Sequence, residues 1–173
     1  MKEYKKINTD ILIIGAGVAG MSCALSLPDN LSIMLIAKGS SEDCSTYYAQ
    51  GGIACVVSPD DSNDKHTQDT LVAGAGICDE SVVKFVIQNA KGAINWLESQ
   101  GVFFNKNIDK TYHLTREGGH TERRILHCDD ATGLEIHRAL LDKVKSKKNI
   151  DLKYNIFAVD LLTEIIFVAA LVF

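Results

Sequence analysis

A glycine-rich turn near the start of the chain has the residue spacing of a phosphate-binding loop. Residues 15–20 read Gly-Ala-Gly-Val-Ala-Gly. In this spacing Gly15 permits a tight turn, Gly17 lets a pyrophosphate approach the backbone, and Gly20 allows the next helix to pack closely. Free N–H groups at the start of that helix favour phosphate charge. The turn therefore predicts nucleotide binding, and the alternative is a glycine turn needed only for packing.

The sequence on either side of the turn predicts the elements that must hold it. An apolar, β-branched run at 10–14 is typical of a buried strand, 18–27 has a helical pattern that ends at Pro28, and 31–37 predicts a second strand. A strand, a turn, a helix and a strand in succession form a βαβ unit. Such a unit implies a parallel sheet with a right-handed crossover.

The remainder of the chain continues as a mixture of helices and strands. Asp79 or Ser81 is expected to cap a long helix that ends before Gly101, and Thr132 is expected to cap a later one. The whole chain reads as one α/β unit. The further predicted helices cover 66–75, 79–99 and 134–145, and the predicted strands lie within 102–114, at 150–154 and at 157–162. Residues 53–57 form an apolar run after a glycine pair.

The end of the second predicted strand departs from the usual dinucleotide-binding pattern. An acidic residue near this point commonly binds ribose hydroxyls, but the sequence here is Ala37-Lys38-Gly39, with Glu42 and Asp43 following in a predicted loop. Lys38 can face a phosphate or ribose oxygen, or it can be a solvated loop lysine. The glycine motif alone leaves both nicotinamide and flavin dinucleotides open.

Composition excludes several classes of protein. The chain has 173 residues, 46% of them hydrophobic, and a net charge of −4, which argues against a general binder of nucleic-acid backbones. The apolar run at 165–173 is too short to span a membrane as a helix. Five cysteines without a CxxC pair indicate neither a disulfide framework nor a zinc site, and they suit a reducing cytoplasm. No histidine spacing suggests a metal.

Longer motifs carry a more specific signal than the glycine turn. Residues 45–52 read Ser-Thr-Tyr-Tyr-Ala-Gln-Gly-Gly, and residues 113–120 read His-Leu-Thr-Arg-Glu-Gly-Gly-His. With 69–79, 123–127, 130–133 and 158–160, they resemble the L-aspartate oxidase family of the succinate dehydrogenase/fumarate reductase flavoprotein superfamily. The resemblance extends to Leu162. It implies an α/β, Rossmann-like FAD-binding domain with a parallel sheet, incomplete at the C-terminus.

The resemblance also implies a site for FAD. The turn would surround the pyrophosphate, Lys38 would lie along the adenosine half, and 45–52 would contact the phosphate, ribityl chain and ring. Phe157 and Ala158 would touch adenine through their backbone, or would belong to an ordinary core strand. Covalent-flavin relatives carry a histidine where Ser45 stands, so we expect noncovalent FAD. The implied cofactor-binding residues are Gly15, Ala16, Gly17, Val18, Ala19, Gly20, Lys38, Ser45, Thr46, Tyr47, Tyr48, Ala49, Gln50, Gly51, Gly52, Phe157 and Ala158.

The implied substrate contact is Glu117, which matches a carboxylate that orients the substrate amino group in this family. Its alternative is a solvated loop glutamate. Family relatives that act on dicarboxylates without an amine use an uncharged residue there. Four further side chains could help to neutralise substrate carboxylates, although each alone is more typical of a surface ion pair or a satisfied histidine: Arg116, His120, Arg123 and His127. The resemblance places no catalytic residue in this chain.

The reaction implied is the oxidation of L-aspartate to iminoaspartate, with oxygen or fumarate reoxidising the flavin. The product would feed quinolinate and NAD synthesis in the cytoplasm, with quinolinate synthase as the downstream partner. Because family members run to several hundred residues, we expect 1–173 to be the N-terminal portion of the FAD-binding domain, without the capping and C-terminal helical domains. The tail at 165–173 would be a strand cut short or out-of-frame sequence. The alternatives are a noncatalytic fragment and a fumarate reductase or succinate dehydrogenase-type flavoprotein.

Overall fold

A computed structural model describes residues 6–164 and 167–172 of the chain, with side chains described up to residue 162. The chain divides into two compact units, one formed by residues 1–47 and 137–173 and the other by 48–136, where the sequence suggested one unit. The elements in chain order are β1 (Ile11–Ile14), α1 (Val18–Ser26), β2 (Ile33–Ile36), α2 (Ser45–Tyr48), β3 (Ile53–Ala54), α3 (Asn63–Ala73), α4 (Glu80–Ser99), β4 (Leu114–Thr115), β5 (Ile125–Leu126), α5 (Thr132–Ser146), β6 (Ile150–Lys153), β7 (Ala158–Glu164) and β8 (Phe167–Val172).

The first unit is built on the parallel sheet that the βαβ pattern predicted. Its strand order is β1-β2-β6, and Ile33 of β2 pairs with Ile11 on one side and Ile150 on the other. All four residues of the central strand β2 are buried, as expected for a parallel strand covered on both faces. Buried residues from the helices complete this core: Met21, Ala24, Ala139, Leu140 and Val144.

Two antiparallel strands follow the parallel sheet in the same unit. Strand β7 pairs with β8 from Ala158 opposite Val172 to Glu164 opposite Phe167, with a register shift between Ala158 and Asp160. The strand predicted at 157–162 is therefore confirmed. Part of the apolar tail discussed above, residues 165, 166 and 173, lies outside the described residues.

The second unit combines a small antiparallel sheet of order β3-β5-β4 with helices α3 and α4. Ser62 caps α3 by accepting a hydrogen bond from Lys65 N, and Asp79 caps α4 by accepting from the backbone of Ser81 and Val82. Helix α4 ends as predicted, because Gly101 adopts a φ of +96° that favours glycine. The buried apolar residues of this unit are Cys55, Ile87, Ile94, Leu97, Val102, Phe104, Ile125, Leu126, Cys128 and Ile136.

Two sequence-based predictions in this unit are wrong in detail. The segment 102–114 forms no strand before β4 beyond an isolated bridge between Lys106 and Tyr112, because its backbone makes single hydrogen bonds to separate partners. Thr132 does not precede α5 as its cap but begins the helix. Its hydroxyl instead accepts a hydrogen bond from Cys128 N at 3.0 Å, within the preceding turn.

Among the residues described, no helix combines the length and the apolar character needed to cross a bilayer.

The cap of α4 gives the first prediction. Replacing Asp79 with Ala removes the acceptor for the N–H groups of Ser81 and Val82, which lie 2.9 and 3.2 Å from its Oδ1. We expect the free energy of unfolding to fall, because the first turn of α4 loses its cap, measured by chemical denaturation. Asp79→Asn keeps an acceptor and is expected to retain most of that stability. An equal loss in both variants would contradict the capping role.

Candidate functional site

The first unit contains a cavity of about 320 Å³ beside the glycine turn, here called the turn cavity. It brings together three segments that lie far apart in the sequence: the turn, the end of β2 and the start of β7. Six of the predicted cofactor residues line it: Gly15, Ala16, Gly17, Lys38, Phe157 and Ala158. Phe157 and Ala158, for which an ordinary core strand was the alternative, thus lie at the same cavity as the turn.

The backbone of the turn shows why glycine is needed at its two ends. Gly15 has a φ of +113°, a conformation that L side chains rarely adopt. A Cβ at Gly20 would collide with the carbonyl group of Gly15, so α1 packs directly on the turn. Gly17, the N-cap residue of α1, lines the cavity, and the geometry of the turn fits a dinucleotide pyrophosphate.

Thr46 connects the second cofactor motif to the same helix. Its Oγ1 accepts a hydrogen bond from Val18 N at 3.0 Å, while the N-cap residue Gly17 has no side chain to do so. One of the open N–H groups of α1 is therefore satisfied by the protein. The contact gives Thr46 a structural role: it fixes the start of α2 against the turn.

Asp43 is a further candidate that the sequence placed in a loop without a role. It lines the turn cavity, and its Oδ2 accepts hydrogen bonds from Ser40 N at 2.8 Å and Ser40 Oγ at 2.9 Å. These hydrogen bonds lower the pKa of the Asp43 carboxyl. A Cβ at Gly39 would lie 2.6 Å from Oδ2, so any other residue there would force the Asp43 side chain to shift. A carboxylate near the end of β2 is suited to ribose hydroxyls.

The second unit contains a separate cavity of about 460 Å³, here called the acidic cavity. Its lining includes three predicted cofactor residues, Gln50, Gly51 and Gly52, together with Glu117 and His127. Thr115, Asp129 and Asp130 complete the lining.

Glycine is required at the floor of the acidic cavity. A Cβ at Gly52 would collide with the carbonyl oxygen of Leu126, because the backbone lies directly on β5. A Cβ at Gly51 would lie 3.5 Å from Glu117 Oε1, so the carboxylate stands beside a bare stretch of backbone. This arrangement can accept a flat ring against the backbone and a cation at the carboxylate.

The remaining predicted cofactor residues do not line either of these two cavities in the described part of the chain. Tyr47 packs edge-on against His137, with ring centroids 5.6 Å apart. Ala49 O accepts a hydrogen bond from Gly133 N at 2.9 Å. The residues outside both linings are Val18, Ala19, Gly20, Ser45, Thr46, Tyr47, Tyr48 and Ala49.

A buried arginine that sequence reasoning did not single out holds the loop that follows Glu117. Arg124 is 0% exposed and makes two hydrogen bonds to Asp61, from Nε at 2.7 Å and Nη2 at 2.8 Å. Its Nη1 donates to Asp69, which also accepts from the N–H and hydroxyl of Thr121 at 2.8 and 2.9 Å. Burial alone would raise the pKa of Asp69, but the hydrogen bonds from Thr121 and Arg124 outweigh it and hold the pKa at about 2.

Arg124 also determines the tautomer of His120. The Arg124 Nη1 and His120 Nδ1 atoms lie 3.1 Å apart, and a guanidinium can only donate. Nδ1 must therefore accept, and the ring proton lies on Nε2. Nearby, burial and the charges of Arg124 and His120 lower the pKa of His66, whose Nδ1 is buried without a partner.

A comparison with protein-family models identifies the fold of both units. The model for the FAD binding domain family matches residues 10–170. The chain belongs to this FAD binding domain family. FAD is therefore the cofactor that the family indicates, and the positive φ at Gly15 and the close approach at Gly20 are compatible with a turn that binds phosphate.

Curated relatives of this FAD binding domain chain are L-aspartate oxidases. The Yersinia pestis enzyme is 47% identical over 167 residues, which cover 94% of this chain and 31% of that protein. The Pseudomonas aeruginosa enzyme is 46% identical, over 90% of this chain and 30% of that protein. The chain thus spans about a third of the length of the relatives it matches.

Solved structures of the superfamily share the fold. An E. coli quinol fumarate reductase superposes with a TM-score of 0.87 at 27% identity, covering 95% of this chain and 29% of that chain. The Mycobacterium smegmatis Sdh1 complex superposes with a TM-score of 0.84, also at 27% identity, covering 94% of this chain and 30% of that chain. The expected α/β flavoprotein fold with a parallel sheet is confirmed.

Within the described ranges, no group of three or more His, Cys, Asp or Glu side chains is placed to hold a metal ion. All five cysteines are free thiols. Burial raises the pKa of Cys128 to about 11, with smaller contributions from Glu135 and Asp129, and its Sγ donates to Phe103 O. This thiol is therefore a packed core group at neutral pH.

The Asp69 carboxylate predicts how stability depends on pH. Its folded pKa of about 2 lies below the ordinary 3.8, so its contribution is present above pH 3.8 and is lost as the pH falls toward 2. Between pH 5 and pH 3, protonation of Asp69 is expected to lower the free energy of unfolding of the unsubstituted protein by about 1 kcal/mol. Asp69→Asn should lack this part of the pH dependence, measured by denaturant titration at each pH. The control Asp29→Asn changes an exposed carboxylate paired with Lys147 and should leave the pH dependence unaltered. Parallel pH profiles for all three proteins would contradict the assignment.

Proposed function

We propose that this chain is the N-terminal part of an FAD-dependent L-aspartate oxidase, an enzyme that oxidises L-aspartate to iminoaspartate. The observation that carries the proposal is Glu117, whose carboxylate stands beside Gly51 in the acidic cavity. The 43–47% identity to curated L-aspartate oxidases supports it. The fumarate reductase-type alternative has only the structural likeness at 27% identity in its favour.

Glu117 selects for an amino acid by charge. A carboxylate attracts the ammonium group of L-aspartate, whereas a dicarboxylate without an amine brings only negative charge to it. Glu117 N–H and carbonyl groups lie in a loop held through Thr121 and Arg124, and Glu117 O accepts from His120 N at 3.3 Å. The side chain is therefore presented to the cavity by a fixed backbone.

In the proposed enzyme, this part of the protein binds the cofactor. Gly15, Gly17 and the start of α1 would bind the pyrophosphate, Lys38 would pair with phosphate charge, and Gly51 with Gly52 would lie against the flat ring. Bound FAD supplies the hydride acceptor, and oxygen or fumarate is the proposed final oxidant. The hydroxyl of Ser45 stands where a covalent link would need a histidine, so the flavin is held noncovalently.

The proposal extends to the surroundings of the enzyme. Iminoaspartate is unstable in water, so an enzyme that forms quinolinate from it, quinolinate synthase, is the proposed downstream partner. The proposed location is the cytoplasm. One relative of this chain is the chloroplastic L-aspartate oxidase of Oryza sativa, 44% identical over 89% of this chain and 24% of that protein.

Glu117→Gln in the full-length enzyme tests the amine contact. We expect kcat/KM for L-aspartate to fall about ten- to hundredfold, because a charged hydrogen bond to the amine contributes about 1.5–3 kcal/mol. Inhibition by succinate should be unchanged or stronger, since succinate has no amine. The matched control is Glu122→Gln, a nearby glutamate paired with Lys65, which should leave both values unaltered. Equal losses for L-aspartate and succinate would contradict amine recognition and favour the fumarate reductase-type alternative.

Acid precipitation of the full-length holoenzyme tests the mode of flavin binding. Ser45 cannot form the histidyl bond of covalent relatives, so the yellow flavin should remain in the supernatant and comigrate with free FAD. Flavin that stays with the precipitated protein would show a covalent link and overturn the noncovalent assignment.

A further inference from the structure

A third cavity, bounded by α4 and the loop before β4, lies in the second unit. It measures about 540 Å³, larger than either cavity described above, and is here called the lysine cavity. Lys91 of α4 lines it together with Lys106 and Lys110 of the loop, and its described lining contains no aspartate or glutamate. Its volume lies in the range of about 300–1,000 Å³ that is usual for small-molecule sites. It shares no described lining residue with the turn cavity or the acidic cavity.

The lysine cavity carries an excess of positive charge. Among the described residues, no carboxylate forms an ion pair with Lys91 or Lys110. Lys106 differs from them, since its Nζ lies 3.0 Å from Glu98 Oε1. The carboxylate of Asp109, in the same loop, accepts two hydrogen bonds within its own turn and does not line the cavity. Two ammonium groups are therefore available to an anion that enters.

Tyr112 forms a fixed wall of the lysine cavity and adds no negative charge to it. Its Oη donates to Glu98 Oε2 at 2.8 Å, and Lys106 Nζ lies 5.0 Å from the centroid of its ring. Burial and the hydrogen bond to Glu98 raise the pKa of Tyr112 to about 12, so the phenol is neutral at physiological pH. Val57 and Leu114 extend the apolar part of the lining.

The segment that ends in β4 separates the lysine cavity from the acidic cavity. Successive side chains of an extended segment point to opposite sides. Tyr112 and Leu114 line the lysine cavity, whereas Thr115 lines the acidic cavity. His113 lies on the same side as Thr115, because its Nδ1 is 2.8 Å from Nε2 of His127, which also lines the acidic cavity. A ligand in the lysine cavity therefore occupies a site of its own.

We propose that the lysine cavity binds a phosphorylated organic molecule, with its phosphate at Lys91 and Lys110 and an apolar or aromatic body against Tyr112. Two unpaired ammonium groups suit a phosphate dianion, because lysine binds phosphate as a point charge. The apolar wall favours an organic phosphate over inorganic phosphate, and the volume of about 540 Å³ can hold a molecule of the size of a nucleoside monophosphate. The site requires neither the flavin nor L-aspartate.

Titration calorimetry of the full-length, FAD-loaded protein with uridine 5′-monophosphate tests the proposal. Uridine has the same body without the phosphate, and inorganic phosphate lacks the body. We expect uridine 5′-monophosphate to bind at least about tenfold more tightly than inorganic phosphate, and uridine to show no measurable binding. Added NaCl should weaken the binding of the nucleotide, since Lys91 and Lys110 are exposed and salt screens exposed charges.

Substitutions of the two unpaired lysines test the phosphate contact. Lys91→Gln and Lys110→Gln should each weaken uridine 5′-monophosphate about three- to tenfold, because each removes one exposed ammonium group. The conservative variants Lys91→Arg and Lys110→Arg should retain most of the affinity. The matched control Lys84→Gln removes an exposed lysine of the same helix that lines none of the three cavities, and it should leave binding unchanged.

Hydrogen exchange of the same full-length protein locates the bound nucleotide. Uridine 5′-monophosphate should slow exchange within 106–114 and leave the glycine turn at 15–20 unaffected. Protection at the turn alone would overturn the proposal, because the nucleotide would then occupy the cofactor site. Competition with saturating succinate would also overturn it, since the nucleotide would then lie in the acidic cavity.

Two further outcomes would contradict the proposal. One is the absence of nucleotide binding at millimolar concentration, and the other is equal affinity in the wild-type protein and the Lys91→Gln/Lys110→Gln double variant. None of these measurements uses the oxidation of L-aspartate, so they decide the inference whichever substrate the full-length enzyme takes.

Discussion

The second unit depends on one buried guanidinium. Arg124 joins Asp61, two residues before α3, to Asp69 within α3 and to the loop that carries His120. Removing the guanidinium from such a buried cluster leaves its carboxylates without a counter-charge and costs about 3–5 kcal/mol. Because β4 and β5 have only two residues each, regular strand pairing cannot fix the loop between them. The charge cluster therefore determines the positions of Glu117 and His120. Arg124 lines neither the turn cavity nor the acidic cavity, yet it fixes the loop that carries the proposed substrate contact Glu117.

Close backbone contact through glycine recurs in both units for the same physical reason. Gly20 lies against the carbonyl of Gly15, and Gly52 lies against the carbonyl of Leu126, so a single methyl group at either position would collide with backbone. Each contact leaves a surface without side chains, one suited to a pyrophosphate and the other to a flat ring. In each unit, close packing of the backbone removes side chains from the surface that it creates.

Local sequence patterns predicted the helices and strands, but they did not predict contacts between residues that are distant in the sequence. The apolar runs and the glycine turn defined β1, α1 and β2, because strand and helix periods are local properties. The cap at Asp79 was predicted for the same reason. No sequence pattern identified Arg124 as a structural residue, since its partner Asp61 is 63 residues away. The contact of His113 with His127 depends on the pairing of two-residue strands, which no periodicity reveals. The resemblance to a family located Glu117 and the cofactor motifs, whereas spacing alone would have left them as loop residues.

The charges in the acidic cavity explain why recognition of an amino dicarboxylate must be shared. Three carboxylates and one histidine line the cavity, so a substrate with two carboxylates meets more repulsion than attraction there. On the proposed function, Glu117 offsets part of this by pairing with the amine. The substrate carboxylates find no lysine or arginine among the described lining residues. On the proposed function, that charge must be met by the roughly two thirds of the relatives' length that this chain does not span. Discrimination for the amine would then lie in this domain, and most of the binding energy for the carboxylates would come from outside it.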